Sequence, residues 1–166
     1  IRMNSGCYGY DVSQSIASIQ IVDFNGVIKS IQAENVKFSY RSSDLSNDLI
    51  FLSATFKGKY QDKKKIKETI EKLSKDKKNT QPSKIKTCGS TFKNPPNHFA
   101  AELIDKAGCR GLEIGDAAVS LKHANFLINK GRATAGEIEQ LGKKIIDKVF
   151  DKFNILLDWE IKVVGD

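Results

Sequence analysis

The chain has 166 residues, of which 28% are charged and 40% are apolar; this suits one domain or two small ones with a buried core and excludes disordered and collagen-like chains. Its apolar runs are far shorter than the ~18 residues that span a bilayer, and its three cysteines lack the spacing of a disulfide framework or a zinc site, so we expect a soluble protein of the reducing cytosol. The net charge of +7 is concentrated between Lys57 and Lys86.

The first third of the chain reads as β-structure. Ser15–Asp23 alternates apolar and polar residues, Asn25-Gly26 follows, and a second apolar stretch begins at Val27. This pattern predicts a hairpin with a favoured turn pair. Leu49–Phe56 is a continuous apolar run of strand length, and we expect it to pair in the same sheet.

A lysine-rich segment comes next, with 12 lysines against four acidic residues between Lys57 and Lys86. Within it, Asp62–Lys77 is predicted to be a helix that ends near Pro82. Two interpretations stay open: a footprint for nucleic acid or an anionic membrane, or a solvated helix that turns its lysines outward. The second rests on apolar residues that recur at helical spacing, namely Ile66, Ile70 and Leu73.

The remaining chain mixes helices and strands. After a polar, turn-rich stretch from Thr80 to Pro96, helical spacing predicts a helix over Phe99–Lys106, with Phe99, Leu103 and Ile104 on one face and Gly108 as its stop. A strand is predicted around Phe126–Ile128.

A long helix is predicted to start at Thr134, where Thr-x-x-Glu forms a capping box with Glu137. We expect Ile155–Val164 to close the chain as a strand, with Glu160 and Lys162 on one face. Strands and helices do not alternate strictly, which favours an α+β fold.

Two polar spots stand out in the first and middle parts of the chain. Arg41 lies between a tyrosine and two serines, and it could clamp a carboxylate or phosphate or simply belong to a surface turn. The stretch Cys88–Pro96 combines a glycine, which lets a ligand approach the backbone, with the polar side chains of Ser90, Lys93 and Asn94. This combination favours a functional loop.

Two further polar spots lie nearer the end. His123, one of two histidines, lacks neighbours with metal-ligand spacing, so metal binding is not expected and a structural role stays open. Glu160 could be a catalytic carboxylate or the wet side of an edge strand. The sequence contains no GxGxxG, GxxxxGK[ST], GxSxG or HExxH motif, so the residues alone predict an α+β domain with a polar site near Ser90.

These spots carry short motifs that resemble those of the UDP-N-acetylenolpyruvoylglucosamine reductase family, also called UDP-N-acetylmuramate dehydrogenases. GSxFKNP and KHANFxxN are the specific motifs, and the others support them. The matches run from one end of the chain to the other: Met3–Gly9 (MNSGCYG), Tyr40–Ser43 (YRxS), Gly89–Pro95 (GSxFKNP), Leu103–Gly108 (LIxxAG), Val119–Asn129 (VSxKHANFxxN), and Glu160 followed by Gly165.

The resemblance implies an oxidoreductase of peptidoglycan synthesis that uses FAD and NADPH in the cytoplasm, and hence a role in cell-wall biogenesis, cell shape and cell division. Members of the family have flavin-binding lobes of the vanillyl-alcohol-oxidase type followed by an α+β substrate domain. NADPH reduces the flavin, and hydride then passes from flavin N5 to C3 of the enolpyruvyl group of the UDP-sugar, which gives UDP-N-acetylmuramate.

The resemblance also implies roles for individual residues. Ser90 would protonate C2, while Arg41 and Glu160 would orient the substrate and stabilise the enolate-like intermediate. Positions near the sugar and diphosphate are matched by Lys93, Asn94 and His123. Positions along the flavin are matched by Gly6, Cys7, Tyr8 and Lys162. The resemblance implies no metal.

The match covers the C-terminal half to three-fifths of a family member, and the flavin-diphosphate loop GxGSN is absent. We therefore expect residues 1–86 to be the end of the second FAD-binding lobe and residues 87–166 to be the substrate domain. Since the loop that binds the flavin diphosphate in the family is absent, the partners that the resemblance implies are the missing N-terminal FAD-binding region and the UDP-sugar. Alone it should bind flavin poorly and be inactive. The alternative is a basic α+β module that binds nucleic acid or another acidic partner.

Overall fold

A computed structural model describes residues 1–165, and it confirms the α+β fold. The chain divides into two compact units, Ile1–Lys63 and Lys64–Asp166. The strands and α-helices of the described residues are, in chain order, β1 (Gly6–Cys7), β2 (Tyr10–Asp11), β3 (Ile16–Asp23), β4 (Ile28–Gln32), β5 (Phe38–Ser39), β6 (Ser42–Ser43), β7 (Leu49–Phe56), α1 (Lys63–Thr80), β8 (Lys86–Ser90), α2 (Ala100–Lys106), β9 (Glu113–Ile114), β10 (Ala117–Val119), β11 (Phe126–Asn129) and α3 (Ala135–Phe153).

The first unit is built on a three-stranded antiparallel sheet in the order β4-β3-β7. The predicted hairpin and the predicted third strand are both confirmed. Gly26 adopts a φ of +80° in the turn, a conformation that glycine takes without the strain of a side chain. Ile19 and Ile21 of β3 are buried, as the period-two pattern predicted, and they form the core of this unit together with Ile16 and Val36. Ile16 departs from the alternation because the pairing of β3 with β7 shifts register after it.

Two short hairpins, β1–β2 and β5–β6, were not predicted. Asn4, which is buried, joins β5 to the turn that follows β2: its side-chain amide donates to the Ser39 carbonyl at 3.1 Å, and its side-chain oxygen accepts from the Ser13 N–H at 3.0 Å. The Arg2 guanidinium donates to the carbonyls of Ser46 and Leu49 at 2.6 and 2.7 Å. The start of the chain is therefore held by side-chain hydrogen bonds, which hydrophobic patterning does not report.

The second unit is a four-stranded antiparallel sheet in the order β8-β11-β10-β9, with α2 and α3 contributing to its core. The predicted strand at β11 and the predicted capping box are confirmed: Glu137 N–H donates to Thr134 Oγ1 at 3.2 Å, and Thr134 N–H donates to the Glu137 carboxylate at 2.8 Å. Helix α2 is also confirmed, with Leu103 and Ile104 buried, although Phe99 before it is exposed.

Helix α1 extends three residues beyond the predicted Lys77. Its predicted apolar stripe is exposed, because Ile66, Ile70 and Leu73 keep 40%, 58% and 37% of their accessible surface. None of the residues of α1, all of which the structure describes, is buried. The spacing therefore predicted the helix correctly, but the apolar residues that it aligns do not form a buried face. No helix in the described part of the chain is long and apolar enough to cross a bilayer.

The prediction of a terminal strand over Ile155–Val164 is wrong within the residues described. The segment makes a single bridge, Phe92↔Trp159. Pairing cannot extend in one direction because Pro95 has no N–H to donate, and in the other direction it meets the irregular backbone at Gly89, where φ is +88°. The apolar alternation instead serves packing: the Trp159 ring lies against Gly142 of α3, where an added Cβ would come within 1.9 Å of it.

The division of the chain at Lys63 is geometric and does not report what each part binds. The assignment of residues 1–86 to a flavin lobe and of residues 87–166 to a substrate domain therefore stays a prediction.

Candidate functional site

A β-bulge determines which way Ser90 faces. Strands β8 and β11 pair through Phe126↔Ser90 and Ile128↔Thr87, so Cys88 and Gly89 together lie opposite Leu127. Such a bulge re-aims the side chains beside it. Ser90 shares a face with Phe126, its direct cross-strand partner, whereas Leu127 belongs to the core that α3 covers. Ser90 therefore lies on the face of the sheet opposite α3.

An apolar groove of about 410 Å³ lies on the α3 face, and Leu127, Ile138 and Asn129 contribute to its lining. Because successive residues of a strand point to opposite faces, this groove is on the other side of the sheet from Ser90. We do not assign it to the candidate site.

The three residues after Ser90 lie between two other chain segments. On one side, Thr91 N–H donates to the Asn125 carbonyl at 2.8 Å. On the other side, Lys93 N–H donates to the Asp158 carbonyl at 2.8 Å, and Glu160 N–H donates to the Thr91 carbonyl at 2.9 Å. The main chain of Glu160 is therefore fixed one residue away from Ser90, and the structure brings these two predicted catalytic residues into the same small region.

His123 lies on the Ser90 face. Its ring is 4.6 Å from the ring of Phe126, edge to face. The Asn125 N–H donates to His123 Nδ1 at 3.3 Å, so the neutral ring carries its hydrogen on Nε2. Burial and the positive charge of Arg110 lower the pKa of His123. The side chain is thus suited to donate a hydrogen bond from Nε2 while neutral.

Lys93 and Asn94 follow directly. Lys93 is half-buried, and its main chain is held by the Asp158 contact given above. The side-chain oxygen of Asn94 accepts from the Ala100 N–H at 3.0 Å, which satisfies an amide at the start of α2. Asn94 therefore has a structural role in orienting α2, beside the substrate role that the resemblance implies.

Arg41 is in the first unit, in the turn between β5 and β6. It adopts a φ of +51°, and its guanidinium lies 5.0 Å from the centre of the Tyr40 ring. Stacking of this kind holds the planar group in a defined orientation. The arginine thus lies at the tip of a short hairpin.

Gly6, Cys7 and Tyr8 form the other hairpin of the first unit. A Cβ at Gly6 would meet the Tyr10 carbonyl at 2.8 Å, so the close approach of β1 to β2 requires glycine there. Tyr8 turns the chain with a φ of +52°. A hollow of about 410 Å³ beside this hairpin is lined by Ser5, Gly6, Cys7, Tyr10, Asp11, Val12 and Ser15.

Within the second unit the structure groups Ser90, Lys93, His123 and Glu160, whereas Lys162 is exposed on a segment that is not a strand. Two buried polar residues of this region were missed, Thr91 and Asn125. A signal was available for Asn125, which directly precedes the apolar run Phe126–Ile128, where an unpaired polar group would be unfavourable. Thr91 lies in a polar stretch that gives no such signal. Among the described residues, no three His, Cys, Asp or Glu side chains converge as a metal site.

Comparison with known proteins places the chain in a family. Residues 81–164 match the family described as "UDP-N-acetylenolpyruvoylglucosamine reductase, C-terminal domain". The chain is 46% identical over 165 residues to the UDP-N-acetylenolpyruvoylglucosamine reductase of Anaplasma marginale, with 99% of this chain and 55% of that protein aligned. The enzyme of the same name from Azorhizobium caulinodans is 44% identical, with 99% and 54% aligned.

The fold agrees with these sequence matches. The crystal structure of the UDP-N-acetylenolpyruvylglucosamine reductase of Thermus caldophilus is similar, with a TM-score of 0.82 and 31% identity; the match covers 96% of this chain and 57% of that one. The chain thus spans about 55% of the length of the curated relatives it matches. It belongs to the UDP-N-acetylenolpyruvoylglucosamine reductase family, and the match to its C-terminal domain begins at residue 81.

Proposed function

We propose that this chain supplies the substrate-binding part of a cytoplasmic reductase that converts UDP-N-acetylglucosamine enolpyruvate to UDP-N-acetylmuramate. The observation that carries the proposal is the arrangement around the bulge: Ser90 faces the His123 side of the sheet, and Glu160 is hydrogen-bonded to the residue that follows Ser90. A hydroxyl, a neutral imidazole and a carboxylate are thereby held on rigid backbone, which a proton-transfer site requires.

The proposed reaction consists of a hydride transfer and a proton transfer. Reduction of the enolpyruvyl double bond adds hydride at C3 and a proton at C2. Ser90 supplies the proton and regains one from solvent, and this works for so weak an acid only when the acceptor is strongly basic and closely held. Arg41 and Glu160 orient the substrate and stabilise its enolate-like state. Lys93, Asn94 and His123 face the sugar and diphosphate.

FAD and NADPH are the proposed sources of hydride, and the residues present fit a flavin in part. The β1–β2 hairpin offers small side chains and exposed backbone beside an open hollow, which suits the edge of a flat ring system. The sequence has no GxGSN loop for the flavin diphosphate. When bound, flavin takes hydride from NADPH and delivers it to substrate; this chain's residues bind and orient the substrate and move the proton.

The test is turnover by the full-length protein that carries this sequence. With FAD present, we expect NADPH oxidation that depends on the enolpyruvyl UDP-sugar and yields UDP-N-acetylmuramate in equal amount. NADPH oxidation that is unaffected by this UDP-sugar would contradict the proposal. Residues 1–166 alone are expected to be inactive, because hydride transfer needs its donor held within about 3.5 Å of the acceptor.

A further inference from the structure

Asn125 is a buried polar residue beside the candidate site that has no assigned role, and only 4% of its surface is accessible. We propose that Asn125 is a positioning residue: by binding the main chain of Phe92, it fixes the positions of Ser90 and Lys93 in the candidate site. This inference rests on the proposed function, because the step it supports is proton transfer from Ser90.

The side chain of Asn125 makes two hydrogen bonds with the main chain of a single residue, Phe92. Phe92 N–H donates to Asn125 Oδ1 at 2.9 Å, and Asn125 Nδ2 donates to the Phe92 carbonyl at 2.8 Å. A carboxamide presents the same donor and acceptor as a peptide group, so Asn125 pairs with Phe92 as a neighbouring strand would. The paired residues of β8 and β11 end at Ser90↔Phe126. The next residue, Thr91, still donates its N–H to the Asn125 carbonyl, and the Asn125 side chain then pairs with Phe92.

Two other main-chain groups of this segment bond the neighbour on the opposite side. Thr91 carbonyl and Lys93 N–H bond the Asp158–Glu160 segment, which leaves the Phe92 N–H and carbonyl to Asn125. Phe92 is 1% accessible, and water cannot readily replace the lost bonds there. Loss of the Asn125 side-chain amide would therefore leave Phe92 without its hydrogen-bond partner on that side, where only the main-chain bond from Thr91 N–H to the Asn125 carbonyl remains.

Replacement of Asn125 by aspartate distinguishes the loss of hydrogen bonds to Phe92 from a loss of packing. In Asn125→Asp the shape is kept, and a protonated carboxyl still donates and accepts. An ionised carboxylate accepts only and repels the Phe92 carbonyl. We therefore expect a defect at higher pH that recovers as pH falls. His123 also titrates and lies beside Asn125, because its Nδ1 accepts from the Asn125 main chain. Arg110 affects the pKa of His123. The pH profile of the wild-type protein is therefore the baseline for the variant.

Asn129, the last residue of β11, offers a matched control for Asn125, which directly precedes that strand. Its side chain also makes both kinds of bond to one residue, accepting from Ala133 N–H at 3.0 Å and donating to the Ala133 carbonyl at 3.1 Å. It lines the groove on the α3 face rather than contacting Phe92. Asn129→Asp therefore repeats the chemical change without touching the Ser90 segment.

The experiment follows both half-reactions by stopped flow in the full-length protein, between about pH 5.5 and pH 8. For Asn125→Asp we expect unchanged flavin reduction by NADPH, and flavin reoxidation by substrate at least about tenfold slower at the upper pH, with recovery at the lower pH. Asn125→Ser, which is too short to reach both groups and is uncharged, should show the slowing without recovery. Asn129→Asp should leave the ratio of the two rates unchanged.

Two results would overturn the inference: reoxidation at the wild-type rate in folded Asn125→Asp and Asn125→Ser, or an equal slowing in Asn129→Asp. Amide hydrogen exchange provides a second measurement, in which the Phe92 amide should lose protection in the Asn125 variants and keep it in Asn129→Asp. If wild-type protein is not reoxidised by substrate at all, the proposed function fails, and exchange at Phe92 still decides whether Asn125 holds the segment.

Discussion

His123 is half-buried, and its Nδ1 accepts a hydrogen bond from the Asn125 N–H. Its pKa is lowered first by burial and then by the charge of Arg110. As pH falls below about 6.5, the unfolded chain takes up the proton first while the folded protein does not. The free energy of unfolding should therefore decrease as pH falls from about 6.5 to the lowered pKa of the folded state.

We expect His123→Gln to flatten this part of the pH dependence, measured by urea unfolding between about pH 5 and pH 7. The matched control is His98→Gln, because His98 is the other histidine of the chain and is exposed. This control should keep the wild-type slope. If His123→Gln also kept it, the neutral buried state of His123 would be refuted.

The bulge in β8 is the element that aims Ser90. Gly89→Ala introduces no clash, because nothing lies within 4 Å of a Cβ there, but it places a side chain on a backbone with φ of +88°. We expect a loss of about 1–2 kcal/mol in the free energy of unfolding together with slower flavin reoxidation by substrate, since relief of the strain would shift the bulge and turn Ser90.

The control for Gly89→Ala is Gly26→Ala in the β3–β4 turn, where φ is +80° and the space is equally open. It should destabilise the protein by a similar amount without slowing reoxidation. Equal kinetic effects from the two variants would show that Gly89 acts through stability alone.

Sequence patterns predicted the elements whose local chemistry agrees with their packing. The β3–β4 hairpin has both the alternation and the Asn25-Gly26 turn, and α3 has both its apolar spacing and its capping box. Strand β8 was missed because its residues are polar and because its bulge breaks the alternation. The terminal strand failed for a tertiary reason: Pro95 and the backbone at Gly89 leave it room for one bridge only.

In the candidate site, too, the residues in sequence motifs could be predicted and the contacts that depend on tertiary structure could not. Ser90, Lys93 and His123 were found as polar residues of the specific motifs and Glu160 as part of a supporting one, and the structure groups them. The two hydrogen bonds between Asn125 and Phe92 could not be predicted from the sequence pattern, because a single side chain there pairs with the main chain as a neighbouring strand would.

At the scale of the whole molecule, the uneven charge raises the question of a nucleic-acid partner. Helix α1 carries an exposed lysine-rich surface, including Lys72 and Lys75. Replacing both with glutamate should change the free energy of unfolding by no more than about 0.5 kcal/mol per site. Affinity for the UDP-sugar should change mainly at low salt, because exposed charges beyond about 8 Å are screened at physiological ionic strength.

Titration with the UDP-sugar at low and high salt tests this expectation, with a nucleic-acid oligomer titrated in parallel. Salt-sensitive binding of the oligomer that the double variant abolishes, in a protein whose Ser90→Ala variant binds it normally, would favour the basic-module alternative. A loss of UDP-sugar affinity that persists at high salt would place α1 at the diphosphate.

The proposed reaction depends most directly on Ser90 as the proton donor, and stopped-flow measurement of Ser90→Ala in the full-length protein tests this role. Flavin reduction by NADPH should be unchanged, while reoxidation by the enolpyruvyl substrate should slow by roughly 10² to 10⁴-fold, since only that half-reaction needs the acid. Ser53→Ala on β7, whose hydroxyl contacts Gln20, is the control and should leave both rates unchanged. Equal slowing of both half-reactions in Ser90→Ala, or slowing of neither, would contradict the account.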